Sequence, residues 1–135
     1  MKLLTFVLFV FINTIFAEDV RFNTPEETFE HYLQGLKEGN VEKVFESYYK
    51  LKHFYLDAPE NIESYRILEK KTLDNNSKEI QIGAKLIDGG KFLPGDISLE
   101  VLIKTRQVGC ECGYYYFRKL KNGWKMISHH IYGSP

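Results

Sequence analysis

Hydrophobic residues recur with a helical period in the segment NTPEETFEHYLQGLKEGN, residues 23–40. Four of them fall three or four positions apart and form one apolar stripe, namely Phe29, Tyr32, Leu33 and Leu36. Thr24 fits the N-cap of this helix, and Pro25 fits its first helical position. Glu27, three residues after Thr24, completes a capping box. Gly39 is a natural C-terminal stop, so the pattern predicts a helix that ends there.

A second helical stripe begins near Asn40 and is predicted to run until Pro59 interrupts the pattern. Its apolar positions are Val41, Val44, Phe45 and Tyr48, with Leu51 and Tyr55 continuing the same face. The pattern therefore predicts two consecutive helices at the start of the folded chain.

Beyond residue 64 the period of the hydrophobic residues changes to two, which is typical of strands. Residues 65–73 (YRILEKKTL) and 78–87 (KEIQIGAKLI) flank the turn cluster DNNS, and the pattern predicts that they form a hairpin. Residues 97–106 (ISLEVLIKTR) alternate again, with one face formed by Ile97, Leu99, Val101 and Ile103.

A last hairpin is predicted between residues 113–120 (GYYYFRKL) and 123–132 (GWKMISHHIY), around the turn-forming dipeptide Asn122-Gly123. Two helices followed by a run of strands favour an α+β fold, with the helices packed on one face of a mixed or antiparallel sheet. We expect residues 18–135 to form one domain, since a length of about 118 residues suits a single core.

Two segments resemble a known superfamily. Residues 24–49 (TPEETFEHYLQGLKEGNVEKVFESYY) resemble the opening helix pair of the nuclear transport factor two-like superfamily, and residues 122–130 (NGWKMISHH) resemble its closing strand. The resemblance covers nearly all of residues 18–135 and implies a cone, in which a strongly bent sheet wraps around a long helix and leaves a pocket at its open end. Members include polyketide-cyclase-like and steroid-isomerase-like enzymes and many exported domains that are not enzymes, so the resemblance leaves function open.

The N-terminus has the layout of a secretory signal peptide. Lys2 precedes an uncharged apolar run, and Ala17 offers a small residue at the cleavage point, before Glu18 and Asp19. The alternative is an uncleaved membrane anchor, but the run is short for a span of about 20 residues. We therefore expect residues 1–17 to be removed and the domain to be exported, either periplasmic or secreted, without stable membrane insertion.

The charge balance argues against a nucleic-acid partner, and the motifs argue against several classes of enzyme. The chain has 18 basic and 18 acidic residues and a formal net charge of zero, which leaves no basic footprint for nucleic acid. No nucleophile elbow, phosphate loop or zinc signature occurs in the sequence. We therefore expect no cofactor, no metal and no catalytic residue.

The stretch VGCECGYYYF, residues 108–117, contains the chain's two cysteines, bracketed by Gly109 and Gly113. Glycine adopts positive φ freely, so the pattern predicts a tight turn there. Two interpretations stay open, a local disulfide between Cys110 and Cys112 after export, or two reduced thiols. A metal site is not expected, because Cys-x-x-Cys spacing is missing and the adjacent candidates His129 and His130 point to opposite faces of a strand.

The final hairpin also predicts which side chains face the interior. If Asn122-Gly123 form the loop, then Tyr115 lies opposite His130, on the face that we take as the interior. The mouth of the cone is then predicted to be lined by four residues, Tyr32, Tyr115, Phe117 and His130.

The opposite face of this hairpin is too apolar for a fully solvated sheet. Its members are Tyr114, Tyr116, Ile127 and Ile131. Such a surface predicts an interface with a protein partner or with a second copy in a homodimer. The alternative is a one-residue error in register, which would exchange the two faces.

These patterns favour an exported domain that binds a small hydrophobic ligand or a protein partner and performs no chemistry. The alternative is a small-molecule isomerase, cyclase or dehydratase that uses the cone pocket. Such an enzyme needs a carboxylate or histidine inside the pocket with a hydrogen-bond donor beside it. Glu100 does not qualify, because it alternates with apolar neighbours and is predicted on the outside.

Overall fold

The computed structural model describes residues 21–50, 61–86, 89–106 and 109–133. In chain order, its elements are α1 (Pro25–Glu38), α2 (Val41–Ser47), β1 (Ile62–Thr72), α3 (Lys78–Gln81), β2 (Ile97–Thr105), β3 (Gly109–Leu120) and β4 (Gly123–Gly133). The predicted α+β class is confirmed.

Helix α1 begins and ends where the sequence predicts. Thr24 Oγ1 accepts a hydrogen bond from the Glu27 N–H at 3.1 Å, and Pro25 lies in the first turn. Glu27 Oε2 in turn accepts from the Asn23 N–H at 2.8 Å. Gly39 caps the other end in the left-handed conformation, with a φ of 65°. The predicted stripe faces the core, and its buried members are Phe29, Tyr32 and Leu33.

Helix α2 is shorter than the predicted second helix. It ends at Ser47, because the backbone of Tyr48 is extended. Tyr48 instead makes an isolated parallel bridge to Met126 of β4, so the chain follows the sheet at this point. The predicted continuation of the stripe, Leu51 and Tyr55, lies outside the described residues.

The two helices approach each other closely at Gly35. A Cβ at this position would stand 2.9 Å from the Cβ of Lys43 and 3.0 Å from Cγ2 of Val44. Glycine therefore lets α2 lie directly against the C-terminal half of α1. This contact brings the end of α2, and with it Tyr48, next to α1.

The four strands form one antiparallel sheet in the order β1-β2-β3-β4. We call the sheet face that contacts α1 the inner face, and the opposite one the outer face. The predicted apolar face of β2 is confirmed as an inner one, because Leu99, Val101 and Ile103 are buried in the core with Phe29 of α1.

The predicted hairpin between residues 65–73 and 78–87 is wrong. The turn itself forms, since Asp74 Oδ1 accepts from the Asn76 N–H at 2.8 Å. The chain then enters α3, whose N-cap is Ser77, and does not return along β1. The partner of β1 is β2, which lies far along the sequence.

The described parts of the connection from β1 to β2, residues 73–86 and 89–96, cover part of the outer face. Leu73, Leu86 and Phe92 form a second apolar cluster there with Tyr116 and Ile127 of the sheet. Part of each face of the β3–β4 region is therefore buried, the inner face against α1 and the outer face, at Tyr116 and Ile127, against this connection.

An ion pair fastens the connection to β3. Arg118 Nε and Nη2 donate to Oδ1 and Oδ2 of Asp96, both at 2.8 Å. The Leu93 N–H also donates to Asp96 Oδ2 at 2.8 Å, and Arg118 Nη2 donates to the Lys91 carbonyl at 2.9 Å. The Asp96 side chain is only 3% exposed, so this carboxylate depends on its three donors.

The last hairpin is confirmed, whereas its predicted register is wrong. The connecting residues are Lys121 and Asn122, and Leu120 lies opposite Gly123. Gly123 has a φ of 102°, which glycine tolerates better than other residues. It therefore begins β4 instead of forming half of the loop.

A bulge in β4 shifts the register again. Met126 and Ser128 pair with consecutive residues of β3, which leaves one residue between them without a partner in the ladder. Side chains beyond the bulge exchange faces relative to the predicted alternation. Tyr115 therefore lies opposite His129, and the predicted pairing with His130 is wrong.

Candidate functional site

Four aromatic side chains meet on the inner side of the sheet. The ring centroid of Tyr32 lies 5.9 Å from that of Tyr48 and 6.1 Å from that of Tyr115. His129 stacks on Tyr115, with ring centroids 5.8 Å apart and ring planes inclined by 13°. We call these four residues, Tyr32, Tyr48, Tyr115 and His129, the aromatic cluster.

Each member of the aromatic cluster is positioned by a different part of the fold. Tyr32 belongs to the apolar stripe of α1, and Tyr48 is held by its bridge to β4. Tyr115 and His129 are opposite each other in the β3–β4 ladder. The cluster is thus a product of the tertiary fold, and only Tyr32 and Tyr115 were predicted to be neighbours.

Burial determines the electrostatics of the cluster. Tyr32, Tyr48 and Tyr115 are at most 8% exposed, whereas His129 is half-buried. Burial raises the pKa of all three phenols, because the charged phenolate would lose its hydration. The three hydroxyls are therefore neutral at pH 7 and act as hydrogen-bond donors or acceptors.

A hydrogen bond joins the Tyr48 hydroxyl to Nδ1 of His129. The raised pKa of Tyr48 keeps its phenol protonated, so the hydroxyl donates to Nδ1 in the neutral tautomer that carries its proton on Nε2. This bond and the stacking on Tyr115 together fix the orientation of the His129 ring.

Glu111 brings a carboxylate to the same face of β3 as Tyr115. It lies opposite Ile103 of the inner core and is half-buried. Burial is the main reason why the pKa of Tyr115 is raised, and the nearby Tyr32 and Glu111 raise it further. Sequence reasoning missed Glu111 because it lies between two cysteines in a stretch that was predicted to form a turn.

The predicted pocket residues are only partly brought together. Tyr32 and Tyr115 are neighbours in the aromatic cluster. Phe117 is fully buried in the inner core. His130 is exposed and lies opposite Tyr114, on the outer face. The structure places His129, and not His130, beside the two predicted tyrosines.

The predicted interface residues do not share one face. Tyr116 and Ile127 are buried on the outer face beneath Leu73, Leu86 and Phe92, and Tyr114 packs beside them. Ile131 packs against the inner core instead. The chain itself thus covers the apolar surface of Tyr116 and Ile127.

The turn that was predicted between Gly109 and Gly113 is wrong, because these residues belong to β3. Cys110 and Cys112 are both free thiols, so the candidate disulfide is not formed. In an extended strand, residues two apart are separated by roughly 6.6 Å, whereas a disulfide needs its Cβ atoms about 3.8 Å apart. The bracketing glycines permit a turn but do not enforce one.

In the parts of the chain that the structure describes, no set of three or more His, Cys, Asp or Glu side chains is arranged to hold a metal ion. No helix among the same residues has the length and apolarity of a membrane span.

Comparisons with protein-family models, with curated proteins and with solved structures found no match. The function is therefore inferred from the geometry of the aromatic cluster and its neighbours.

Proposed function

We propose that the chain is an exported domain that binds a small, largely apolar ligand at the aromatic cluster and performs no chemistry on it. The observation that supports this proposal is the convergence of Tyr32, Tyr48, Tyr115 and His129 on one site. Aromatic side chains offer large apolar surfaces with few polar demands, which suits a hydrophobic ligand.

The charges around the cluster narrow the class of ligand. The three phenols stay neutral. Glu111 of β3, which is half-buried, brings a carboxylate to the same face of the strand as Tyr115. An apolar body would pack against the half-buried edge of the cluster, at His129. One polar group on the ligand would reach the hydroxyl or imidazole groups there.

We further propose that the sheet and α1 form the cone of the nuclear transport factor two-like superfamily. Register shifts occur twice between β1 and β2 and twice between β3 and β4. Such bulges bend strands and increase their twist, which favours a sheet that wraps around a helix. On this proposal the aromatic cluster lies toward the open end of the cone.

One observation favours a second candidate, an acid–base enzyme of the isomerase, cyclase or dehydratase type. His129 lies inside the fold with the Tyr48 hydroxyl hydrogen-bonded to it, and Glu111 lies on the same side of the sheet. A histidine held in one orientation by a donor is an arrangement that general acid–base catalysis uses. The experiments must therefore separate binding from turnover.

We expect saturable binding of N-phenyl-1-naphthylamine, a neutral apolar probe whose fluorescence increases on burial, with one site per chain. Replacing His129 with alanine should weaken binding about 10-fold, the equivalent of roughly 1.4 kcal/mol, because the stacked ring forms the half-buried edge of the site. The matched control is His130→Ala, which removes the neighbouring imidazole from the outer face and should leave binding unchanged.

Equal effects of the two substitutions, or no saturable binding, would contradict the proposed site. Turnover of isomerase, cyclase or dehydratase substrates decides between the two candidates. If His129→Ala and Tyr48→Phe abolish such turnover while the probe still binds, the enzyme replaces the binding domain. Circular dichroism of each variant checks that the fold is retained.

Export is a separate prediction, which concerns residues outside the described part of the chain. The mature protein should begin at Glu18, because the charge, the apolar run and Ala17 occur in the order of a signal peptide. N-terminal sequencing of protein from the extracytoplasmic fraction measures this directly. Mature protein that still carries Met1 or Lys2 would contradict it.

A further inference from the structure

The two thiols of the chain lie side by side on the outer face of β3. Cys110 and Cys112 are two residues apart, and the unbroken register with β2 places them opposite Lys104 and Leu102. Alternate residues of a strand project from the same face, so the two side chains are roughly parallel. They are the only cysteines of the sequence, and both are unbonded.

The spacing that prevents a disulfide suits a bridging ion. The two Cβ atoms are roughly 6.6 Å apart in an extended strand, too far for a direct sulfur–sulfur bond. Two metal–sulfur bonds of about 2.3 Å each, arranged in line, span about 4.6 Å between the sulfurs. Rotation about each Cα–Cβ bond can lean the two sulfurs toward each other over that distance without moving the strand.

The surroundings give the pair one open side and one covered side. Cys110 is half-buried, whereas Cys112 is only 7% exposed. Tyr132 lies near Cys112, and its hydroxyl donates to Glu100 at 2.8 Å. An ion could therefore enter at Cys110 and be held partly out of water at Cys112.

We infer that Cys110 and Cys112 form a two-thiolate site for one thiophilic monovalent ion, with Cu(I) as its biological example. Soft thiolate ligands select Cu(I), whereas structural zinc requires four ligands. Within the described residues no third His, Cys, Asp or Glu joins the pair to make a larger metal group. This site lies on the face opposite the aromatic cluster and does not depend on the proposed function.

The binding step is an exchange of protons for the ion. Two S–H bonds break, two Cu–S bonds form, two protons leave to solvent, and no electron is transferred. The product carries one net negative charge, and the ladder partner of Cys110 is the basic residue Lys104, whose ammonium lies 3.9 Å from Glu63 Oε2. Because the strand keeps the two sulfurs from forming a disulfide with each other, both thiols stay available to the ion.

Anaerobic titration of the full mature chain with Cu(I) tests the inference. Stoichiometry is read from thiolate-to-copper charge-transfer absorption, and affinity from competition with bathocuproine disulfonate. We expect one Cu(I) per monomeric chain, and each of Cys110→Ser and Cys112→Ser should weaken binding at least about 100-fold.

The sharpest control keeps two thiols but separates their faces. Glu111→Cys combined with Cys112→Ser puts neighbouring cysteines on opposite faces of β3, so it should bind as weakly as the single serine variants. Wild-type affinity in that double variant would overturn the two-thiolate site. So would a stoichiometry of one Cu(I) per two chains with dimer formation in light scattering, or wild-type binding no tighter than that of the serine variants.

Discussion

Replacing Arg118 with methionine should lower the free energy of unfolding by roughly 3–5 kcal/mol, because it leaves a buried carboxylate without its cation. The Asp96 side chain is 3% exposed, and Arg118 donates to both of its oxygens at 2.8 Å. After the substitution, one backbone donor from Leu93 would remain on this carboxylate. Water cannot replace the lost donors without opening the connection between β1 and β2.

The same ion pair has a structural consequence that reaches beyond its own energy. It fastens residues 91–96 to β3, and Phe92 in this segment helps to cover Tyr116 and Ile127 on the outer face. Loosening the connection would expose this apolar surface. We therefore expect Arg118→Met to increase aggregation as well as to lower stability.

Urea denaturation followed by circular dichroism measures the loss. Lys119→Met is the matched control, since Lys119 is the exposed next residue of β3 and should change stability by less than about 0.5 kcal/mol. Adding Asp96→Asn to Arg118→Met removes the buried charge and should recover a large part of the loss. A loss below about 1 kcal/mol for Arg118→Met would show that the pair does not hold the connection in place.

Elements marked by local chemistry could be predicted from the sequence. Helix α1 has its cap, its stripe and its terminal glycine within residues 23–40, and each acts over a few positions. The alternation of β2 was also sufficient to assign its buried face. In both cases a single segment contains all the information that fixes the element.

Pairing between distant segments could not be predicted in the same way. The turn at residues 74–77 was visible, and the Ser77 hydroxyl closes it by accepting from the Asp74 N–H at 2.9 Å, but the chain then continues into α3. The partner of β1 is decided by which apolar faces can be buried together, and β2 supplies Leu99, Val101 and Ile103, which are buried in the inner core. Such a choice depends on the whole core and not on the turn.

The candidate site shows how a small error in register propagates. The sequence correctly predicted a β3–β4 hairpin, and it placed Tyr115 on the inner face. The loop lies one residue earlier than predicted, and β4 has a bulge after Met126. Neither feature has a local sequence signal. One consequence is that His129, rather than its neighbour His130, joins the aromatic cluster.

Replacing Gly123 with alanine should destabilise the fold by about 3–5 kcal/mol, the sum of two separate costs. The φ of 102° at this position is strained for any residue with a Cβ, which costs about 1–3 kcal/mol. The Cβ would also overlap the Phe22 carbonyl oxygen and stand 2.8 Å from the Phe22 nitrogen. Backbone atoms cannot rotate away as the end of a flexible side chain can.

The clash would break a specific attachment. The Trp124 N–H donates to the Phe22 carbonyl at 2.9 Å, and Phe22 pairs with Gly123 in an isolated bridge. This contact holds the segment before α1 against the start of β4. Thr28 adds to it, because its hydroxyl donates to the Trp124 carbonyl at 2.9 Å.

Gly109→Ala separates the two costs of the Gly123 substitution. Gly109 has a similar φ of 89°, but nothing lies within 4 Å of the Cβ that alanine would add there. Gly109→Ala should therefore lower the free energy of unfolding only by the cost of the positive φ, which is about 1–3 kcal/mol. Thermal and urea unfolding measure the loss of stability in both variants. The extra loss in Gly123→Ala is the cost of the overlap with Phe22. Equal losses would mean that the segment before α1 shifts at no cost, and that the bridge from Phe22 to Gly123 does not position α1 on the sheet.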